Sequence, residues 1–348
     1  MVVALVAIAT TSRIDAVPVV QTVETIADRL VANQIVSGPA SGTWPGETDY
    51  TGSIGAGLVS AFEATGGSTY REAAMRAGHY VLNEHAENPY GDEAYLLARL
   101  EETTGDSAYG AALRMFYNGL ETPAYIEDYI NTDPSNAVFY IAMHSVAAHM
   151  VQVVDAPMWR NGLIEYLSRI SDADAYYPVM GLGVATWSLA GTGALDDTPV
   201  DPEANPQSIW ADVTLSDLPA ILASHQVVSG PEAGGFYYRF DHSSGGGDDE
   251  ISGYTEDAVF GLLGLAAAND GGRYNLQIED AATRLTSSVG SGGIVREHMD
   301  IGGPAYYTYA GEVLQAIPEP GSLLLLAAGS MLTGRWRRKG RKAGRRQA

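Results

Sequence analysis

The residues of this sequence that could do chemistry are carboxylates and tyrosines, and they recur in short loops. The densest cluster is Asp241-His242-Ser-Ser-Gly-Gly-Gly-Asp248-Asp249-Glu250. Adjacent carboxylates raise one another's pKa, which sets an acid beside a base. The same oxygens suit calcium, although no EF-hand spacing is present. No other cofactor is implied. Asp49, Asp92 and Glu256 stand in comparable loops at the starts of predicted helices and complete the catalytic candidates. Cutting a glycosidic bond takes two carboxylates across the sugar. A lyase needs a base and a cation, for which Arg239 and His242 are nearest. Tyrosine outnumbers phenylalanine twenty to six. A flat ring with a hydroxyl both stacks on a sugar and hydrogen-bonds to it. Trp44, Tyr50, Tyr90, Tyr177, Tyr238, Tyr254 and Tyr307 are therefore the candidate substrate-binding residues. The plainer alternatives are a solvated acidic loop and tyrosines that fill wide helix interfaces.

Composition excludes several chemistries. Without cysteine there are no disulfides, thiolate zinc sites or cysteine nucleophiles. The only lysines are Lys339 and Lys342, so residues 1–318 hold neither a Schiff-base nor a P-loop lysine. Those residues carry 12 arginines against 41 acidic residues, a net charge of −29. Such a body repels nucleic acid. The seven histidines are scattered without an HExxH pattern. His144 and His149 are five apart, off a common helical face, and read as structural.

Helices must position these residues. Apolar spacing predicts twelve, over 17–33, 51–65, 68–86, 89–104, 106–120, 135–152, 156–171, 176–191, 216–226, 253–268, 275–288 and 303–317. Ser68, Asp106 and Ser135 suit N-caps, and Gly66, Gly105 and Gly191 suit helix ends. Two internal repeats support the count. Thr65-Gly66-x-Ser68-x-Tyr70-x-x-Ala73 recurs as Thr104-Gly105-x-Ser107-x-Tyr109-x-x-Ala112. Gln34-Ile-Val-Ser-Gly38-Pro39-Ala-Ser-Gly42-Thr-Trp44 recurs as Gln226-Val-Val-Ser-Gly230-Pro231-Glu-Ala-Gly234-Gly-Phe236. Twelve helices make six hairpins. Closing them into an all-α (α/α)6 toroid buries every apolar face and leaves no solenoid end. The functional face of such a ring gathers the N-terminal ends of the inner helices, the second of each pair.

The Gln…Gly-x-aromatic element resembles the QW repeat of terpenoid-cyclase and prenyltransferase toroids. The Thr-Gly-x-x-x-Tyr junctions resemble those of toroidal glycosidases and polysaccharide lyases. Both resemblances imply the ring. Terpenoid chemistry fits poorly. Asp196-Asp197-Thr198 runs into the proline-rich stretch 199–206, which cannot be one helix, and the cysteine zinc ligand of prenyltransferases is missing. The two leading function classes are a hydrolase or lyase acting on polysaccharide, and a non-catalytic glycan-binding or matrix protein; a terpenoid-type cyclase, resting on the repeat alone, is a distant third.

The ends carry an address. Residues 317–321 read Ile-Pro-Glu-Pro-Gly, a short apolar stretch follows, and eight of the twenty basic residues crowd the positions from Arg335 to Arg346. About fourteen apolar residues span roughly 21 Å as a helix, short for a stable membrane span, and the basic cluster would hold the tail on the cytoplasmic side. The order of motif, apolar stretch and basic cluster resembles the PEP-CTERM sorting signal. That resemblance implies export, transient anchoring in the inner membrane as a short transmembrane helix, recognition at Pro318, Glu319 and Pro320 by an exosortase-type membrane protease, and release into the envelope or extracellular matrix. At the other end, the apolar run from Met1 with Ala7-Ile8-Ala9 reads as a remnant or atypical signal peptide. The expected organisation is a signal remnant over 1–16, the toroid over 17–317 and the sorting tail over 318–348.

Overall fold

A computed structural model describes residues 16–132, 136–170, 178–241, 252–300 and 302–317. Thirteen α-helices occur among them: α1 (Ala16–Asn33), α2 (Thr51–Thr65), α3 (Ser68–Glu84), α4 (Gly91–Thr104), α5 (Ser107–Gly119), α6 (Thr122–Thr132), α7 (Ala137–Met150), α8 (Ala156–Leu167), α9 (Pro178–Gly191), α10 (Leu218–Ser224), α11 (Thr255–Ala267), α12 (Asn275–Ser288) and α13 (Tyr307–Ala316). The described residues hold isolated β-bridges but no strand.

Six of these helices form an inner ring in the order α2, α4, α7, α9, α11, α13, and α13 packs back on α2 to close it. Helices α1, α3, α5, α8, α10 and α12 lie outside, each against its inner neighbours. The fold is an α/α toroid. Burial follows the two layers. In α2 every residue from Thr51 to Val59 is buried, and α9 is buried almost throughout, because an inner helix faces both the centre and the outer layer. Outer α3 buries only one side, through Tyr70, Ala73, Ala74, Ala77 and Val81. Small residues let inner helices cross closely. A Cβ on Gly57 of α2 would stand 2.7 Å from the Cα of Gly311 on α13, so a larger residue there would force the closing pair apart.

Local signals set the helix ends. Gly66 and Gly105 end α2 and α4 in the left-handed region, at φ 73° and 72°. Asp106 accepts from the Ala108 N–H at 3.0 Å to start α5.

The two long repeats are one device used twice. Gln34 donates to the carbonyls of Gly42 and of Ala73 on α3, at 3.0 and 2.9 Å. Gln226 donates to those of Gly234 and of Gln277 on α12, at 3.4 and 2.8 Å. Each loop is thereby stapled to the next outer helix, and Trp44 and Phe236 are each wholly buried beneath it. The repeat thus does a structural job, and it lends no weight to terpenoid chemistry. Asp196 accepts from the Thr198 N–H in an exposed loop between α9 and α10.

Three details differ from the sequence expectation. Ser68 is the first residue of α3 rather than its N-cap, which is Gly67 in an extended conformation. Helix α6 was not anticipated: Pro123 stands in its first turn and it buries only Thr122 and Ile126, which leaves almost no apolar period to read. Ile126 packs over Gly162 and seats α6 on α8. Helix α13 begins at Tyr307 rather than 303, because Gly302 and Gly303 have φ of 101° and 78° and Pro304 follows. No helix among the described residues is long and apolar enough to cross a membrane; the tail expected to do so lies outside them.

Candidate active site

The N-terminal turns of all six inner helices converge on one cavity of about 510 Å³. Asp49, Tyr50 and Ser53 come from the start of α2, Tyr90 and Asp92 from α4, and Asn136, Phe139 and Tyr140 from α7. Met180 comes from α9, Glu256 and Phe260 from α11, and Tyr309 and Glu312 from α13. Helix N-termini present partial positive charge and unpaired N–H groups, which suits carboxylates. No described lining residue is lysine, arginine or histidine.

Asp92 is fixed from two helices. Its Oδ2 accepts from the Ser53 N–H at 2.8 Å. This approach requires glycine on α2: a Cβ at Gly52 would sit 2.5 Å from that oxygen. Burial, and then the charge of Glu93, push the Asp92 carboxyl up to about 7, against the N–H bonds from Ser53 and Glu93 that favour its ionised form. Glu93 points behind the cavity. It is wholly buried, accepts from the Tyr90 N–H at 2.9 Å and pairs with His85 Nδ1 at 2.7 Å.

Glu256 stands at the start of α11. Burial, and then the charge of Glu297, raise it to about 7, and no hydrogen bond opposes the rise. The helix start is tied to the 296–297 segment, because Thr255 donates through its N–H to Glu297 O at 2.9 Å and through its hydroxyl to Arg296 O at 2.6 Å. Asp257 lies behind it, 1 % exposed, with neither carboxyl oxygen hydrogen-bonded. Burial and the Glu256 charge drive it well above the usual carboxylate range.

Helices α4 and α11 are three places apart in the six-membered ring, so Asp92 and Glu256 enter from opposite walls. Glu312 lies between them electrostatically. It is buried, its Oε2 has no hydrogen-bond partner, and burial followed by the charges of Glu256, Asp92 and Glu47 holds it well above the carboxylate range. Glu47 closes the ring locally. Its two oxygens accept from the N–H groups of Tyr307 and Thr308 at 2.7 Å each and cap α13.

Tyr50 and Tyr90 stand at the mouth, 53 % and 41 % exposed. Tyr90 approaches Tyr140, at 6.4 Å between ring centroids, and Tyr140 stacks on Tyr129 at 5.2 Å. A surface groove lined by residues 82–88 begins on the other side of Tyr90.

Of the residues singled out in the sequence, the structure brings Asp49, Asp92, Glu256, Tyr50 and Tyr90 to this cavity. It does not bring Trp44 there. That indole is wholly buried and donates to the Leu30 carbonyl at 2.8 Å, so it has no face for a sugar. Tyr238 and Tyr254 pack on each other outside the lining, at 5.5 Å between centroids. Tyr307 lies under the Arg29 guanidinium, 4.9 Å from its ring centre, also outside the lining. The Arg239 guanidinium sits over the Tyr238 ring rather than in the cavity. Tyr177, His242, Asp248 and Asp249 lie outside the described residues, as do Pro318, Glu319 and Pro320.

Sequence reasoning missed Ser53, Phe139, Tyr140 and Glu312, which lie inside the helices rather than in the loops before them. A usable signal was nevertheless present. Tyr90-Gly-Asp92-Glu93-Ala94 and Tyr254-Thr-Glu256-Asp257-Ala258 share the pattern Tyr-x-acid-acid-Ala. The two stretches occupy matching places at opposed helix starts.

The chain matches the PEP-CTERM protein-sorting motif over residues 316–339. That motif implies export through the membrane and processing by an exosortase, a membrane protease. No curated protein was found similar in sequence over the chain. Solved structures are similar in fold. The α-1,6-mannanase GH76A from Salegentibacter sp. superposes with a TM-score of 0.56 at 13% identity, over 88% of this chain and 99% of its own. An inactive variant of that mannanase, with two adjacent aspartates changed to asparagine and α-1,6-mannotriose bound, superposes with a TM-score of 0.57 at 12% identity, over 88% and 99%. A possible member of the GH105 family from Klebsiella pneumoniae superposes with a TM-score of 0.58 at 11% identity, over 93% and 95%. At these identities the likeness is one of fold.

Proposed function

We propose that the chain is an exported glycoside hydrolase that cleaves polysaccharide of the cell envelope or extracellular matrix. The observation that carries this reading is the pair Asp92 and Glu256, which enter one tyrosine-rimmed cavity from opposite walls of the ring. Both carboxyls are raised by burial and by a neighbouring carboxylate, but only Asp92 also accepts hydrogen bonds, and this difference separates their roles. Glu256 has only influences that favour its proton, so it is the general acid that protonates the departing glycosidic oxygen. Asp92 is held by N–H groups that favour its charge, so it takes the proton of the attacking water. The bond from the anomeric carbon to the leaving oxygen breaks, and a bond to the water oxygen forms. Tyr50 and Tyr90 offer ring faces to the sugars on either side. The groove beyond Tyr90 gives a longer polymer a path out. The mannanase variant silenced by changing two aspartates lends analogy, since an acidic pair begins both α4 and α11 here. A lyase reading is disfavoured because no basic side chain lines the described cavity.

A second reading has its own support. The exposure of Tyr50 and Tyr90 at the mouth suits a module that binds glycan without cutting it. An assay of reducing ends released from a panel of neutral, acidic and amino polysaccharides separates the two. The hydrolase reading expects release from at least one polymer, lost in Glu256→Gln. Retention on a polysaccharide column with no release would establish the binding module.

A further inference from the structure

The cavity has an electrostatic feature that hydrolysis of a neutral glycan does not need. Four carboxylates line it, from Asp49, Asp92, Glu256 and Glu312, and no described lining residue is a cation. None of the four takes part in the ion pairs found among the described residues, which join His85 to Glu93, Arg99 to Glu63, Arg114 to Glu101, Arg169 to Glu165 and Arg284 to Asp300. Glu312 is the second, independent observation. Its side chain lines the cavity at 6 % exposure, and its Oε2 has no hydrogen-bond partner. A buried acceptor left open costs stability unless something completes it.

We infer that the cavity is built for a sugar unit bearing a free amine, whose ammonium pairs with Glu312. This rests on the glycan reading above and narrows it to polysaccharides with unacetylated hexosamine. An ammonium carries three donors, one of which can complete the open Oε2 of Glu312. The ring faces of Tyr50, Tyr90 and Tyr140 attract the same charge. A uronate in this place would meet four carboxylates and no counter-charge among the described lining residues. The net charge of −29 over residues 1–318 also draws a polycation towards the protein and repels a polyanion. Protons make the arrangement tolerable when the cavity is empty. The carboxyl of Glu312, facing those of Glu256, Asp92 and Glu47, holds its proton to unusually high pH. An arriving ammonium favours the ionised form, so binding expels protons, and a neutral sugar has no such effect.

The test compares oligomers of glucosamine and of galactosamine with their N-acetylated counterparts, and adds α-1,6-mannotriose and an oligogalacturonate. Titration calorimetry of the full-length chain at pH 7 is run in two buffers of different ionisation enthalpy. The expected result is at least about tenfold tighter binding of one free-amine oligomer than of its acetylated twin, with proton release seen only for the amine. Glu312→Gln, checked for folding by circular dichroism, should bring the pair close to parity. If that variant does not fold, Glu312→Asp serves, and the preference for the amine should shrink as the shorter side chain withdraws. Equal or better binding of the acetylated, neutral or acidic oligomers would overturn the amine inference and leave the hydrolase reading standing. No binding of any oligosaccharide would overturn both.

Discussion

Helices α4 and α11 begin with the same five-residue pattern, and the ring sets them face to face, yet the two acidic pairs are held differently. At α4 every carboxyl has a partner: Asp92 takes the Ser53 N–H, and Glu93 takes the Tyr90 N–H and His85. At α11 the rear carboxyl, Asp257, has none, and Glu256 is raised by burial and by Glu297 with nothing opposing. The comparison shows that a sequence pattern fixes where a carboxylate stands, while its neighbours fix its protonation state. Hydrogen-bond donors favour the charged form and an unsatisfied wall favours the proton, and acid–base chemistry uses one of each.

The contrast can be broken in several ways. The largest effects should come from the front residues. Asp92→Asn and Glu256→Gln should each lower kcat by about 10²- to 10⁴-fold, and the double variant should be little worse than the poorer single. A much larger combined loss would mean that the two do not act in one step.

The rear residues come next and should diverge. Glu93→Gln disturbs the hydrogen bonds that this wholly buried carboxyl makes to His85 and to the Tyr90 N–H, and chemical denaturation should show a loss of about 3 kcal/mol. Asp257→Asn replaces a carboxyl already held neutral, so at pH 5 its cost should fall within about 1–3 kcal/mol. The pH dependence of stability sharpens this difference. The carboxyls of Asp92, Glu93, Glu256, Asp257 and Glu312 are all raised on folding. Their protons are bound more tightly in the folded chain, so their stabilisation is whole below the ordinary carboxylate range and is lost as pH rises through their folded values. Tm should therefore fall from pH 5 to pH 8, and Asp257→Asn should flatten that fall. A Tm that rises over this range would contradict the assignment.

The pH–rate profile should be bell-shaped with both limbs near neutral, since Asp92 and Glu256 both lie at about 7. Glu256→Gln should remove the alkaline limb from any residual activity. The smallest effects belong to the two N-cap tyrosines. Tyr90→Ala should raise KM by about three- to tenfold through a lost stacking face. Tyr254→Ala, outside the lining, should leave KM unchanged and lower stability by about 1–3 kcal/mol.

Much of this fold was legible because inner and outer helices repeat with clear start and stop signals. Gly66 and Gly105 stood as helix ends in the sequence and end α2 and α4. Helix α6 was not legible, because two buried residues leave no period. The site was legible in part. Polar residues before inner helices marked Asp49, Tyr50, Tyr90, Asp92 and Glu256. Glu312 reads as an ordinary helix position in Tyr309-Ala-Gly-Glu312-Val-Leu, and only ring closure turns it towards the centre. Trp44 misled for a related reason. An aromatic at a loop end looks like a stacking platform, whereas the matching Phe236 in the second repeat shares its buried, stapling role.

The central claim is that the starts of α4 and α11 grip one glycosidic bond from opposite sides. The most direct test is a crystal structure of the Glu256→Gln chain with an oligosaccharide of the polymer it cleaves. The account predicts a glycosidic oxygen within hydrogen-bond reach of residue 256, Asp92 on the far face of the same sugar, and a ring of the sugar chain against Tyr90. A sugar bound with Asp92 and residue 256 both out of reach of its glycosidic bonds would contradict it.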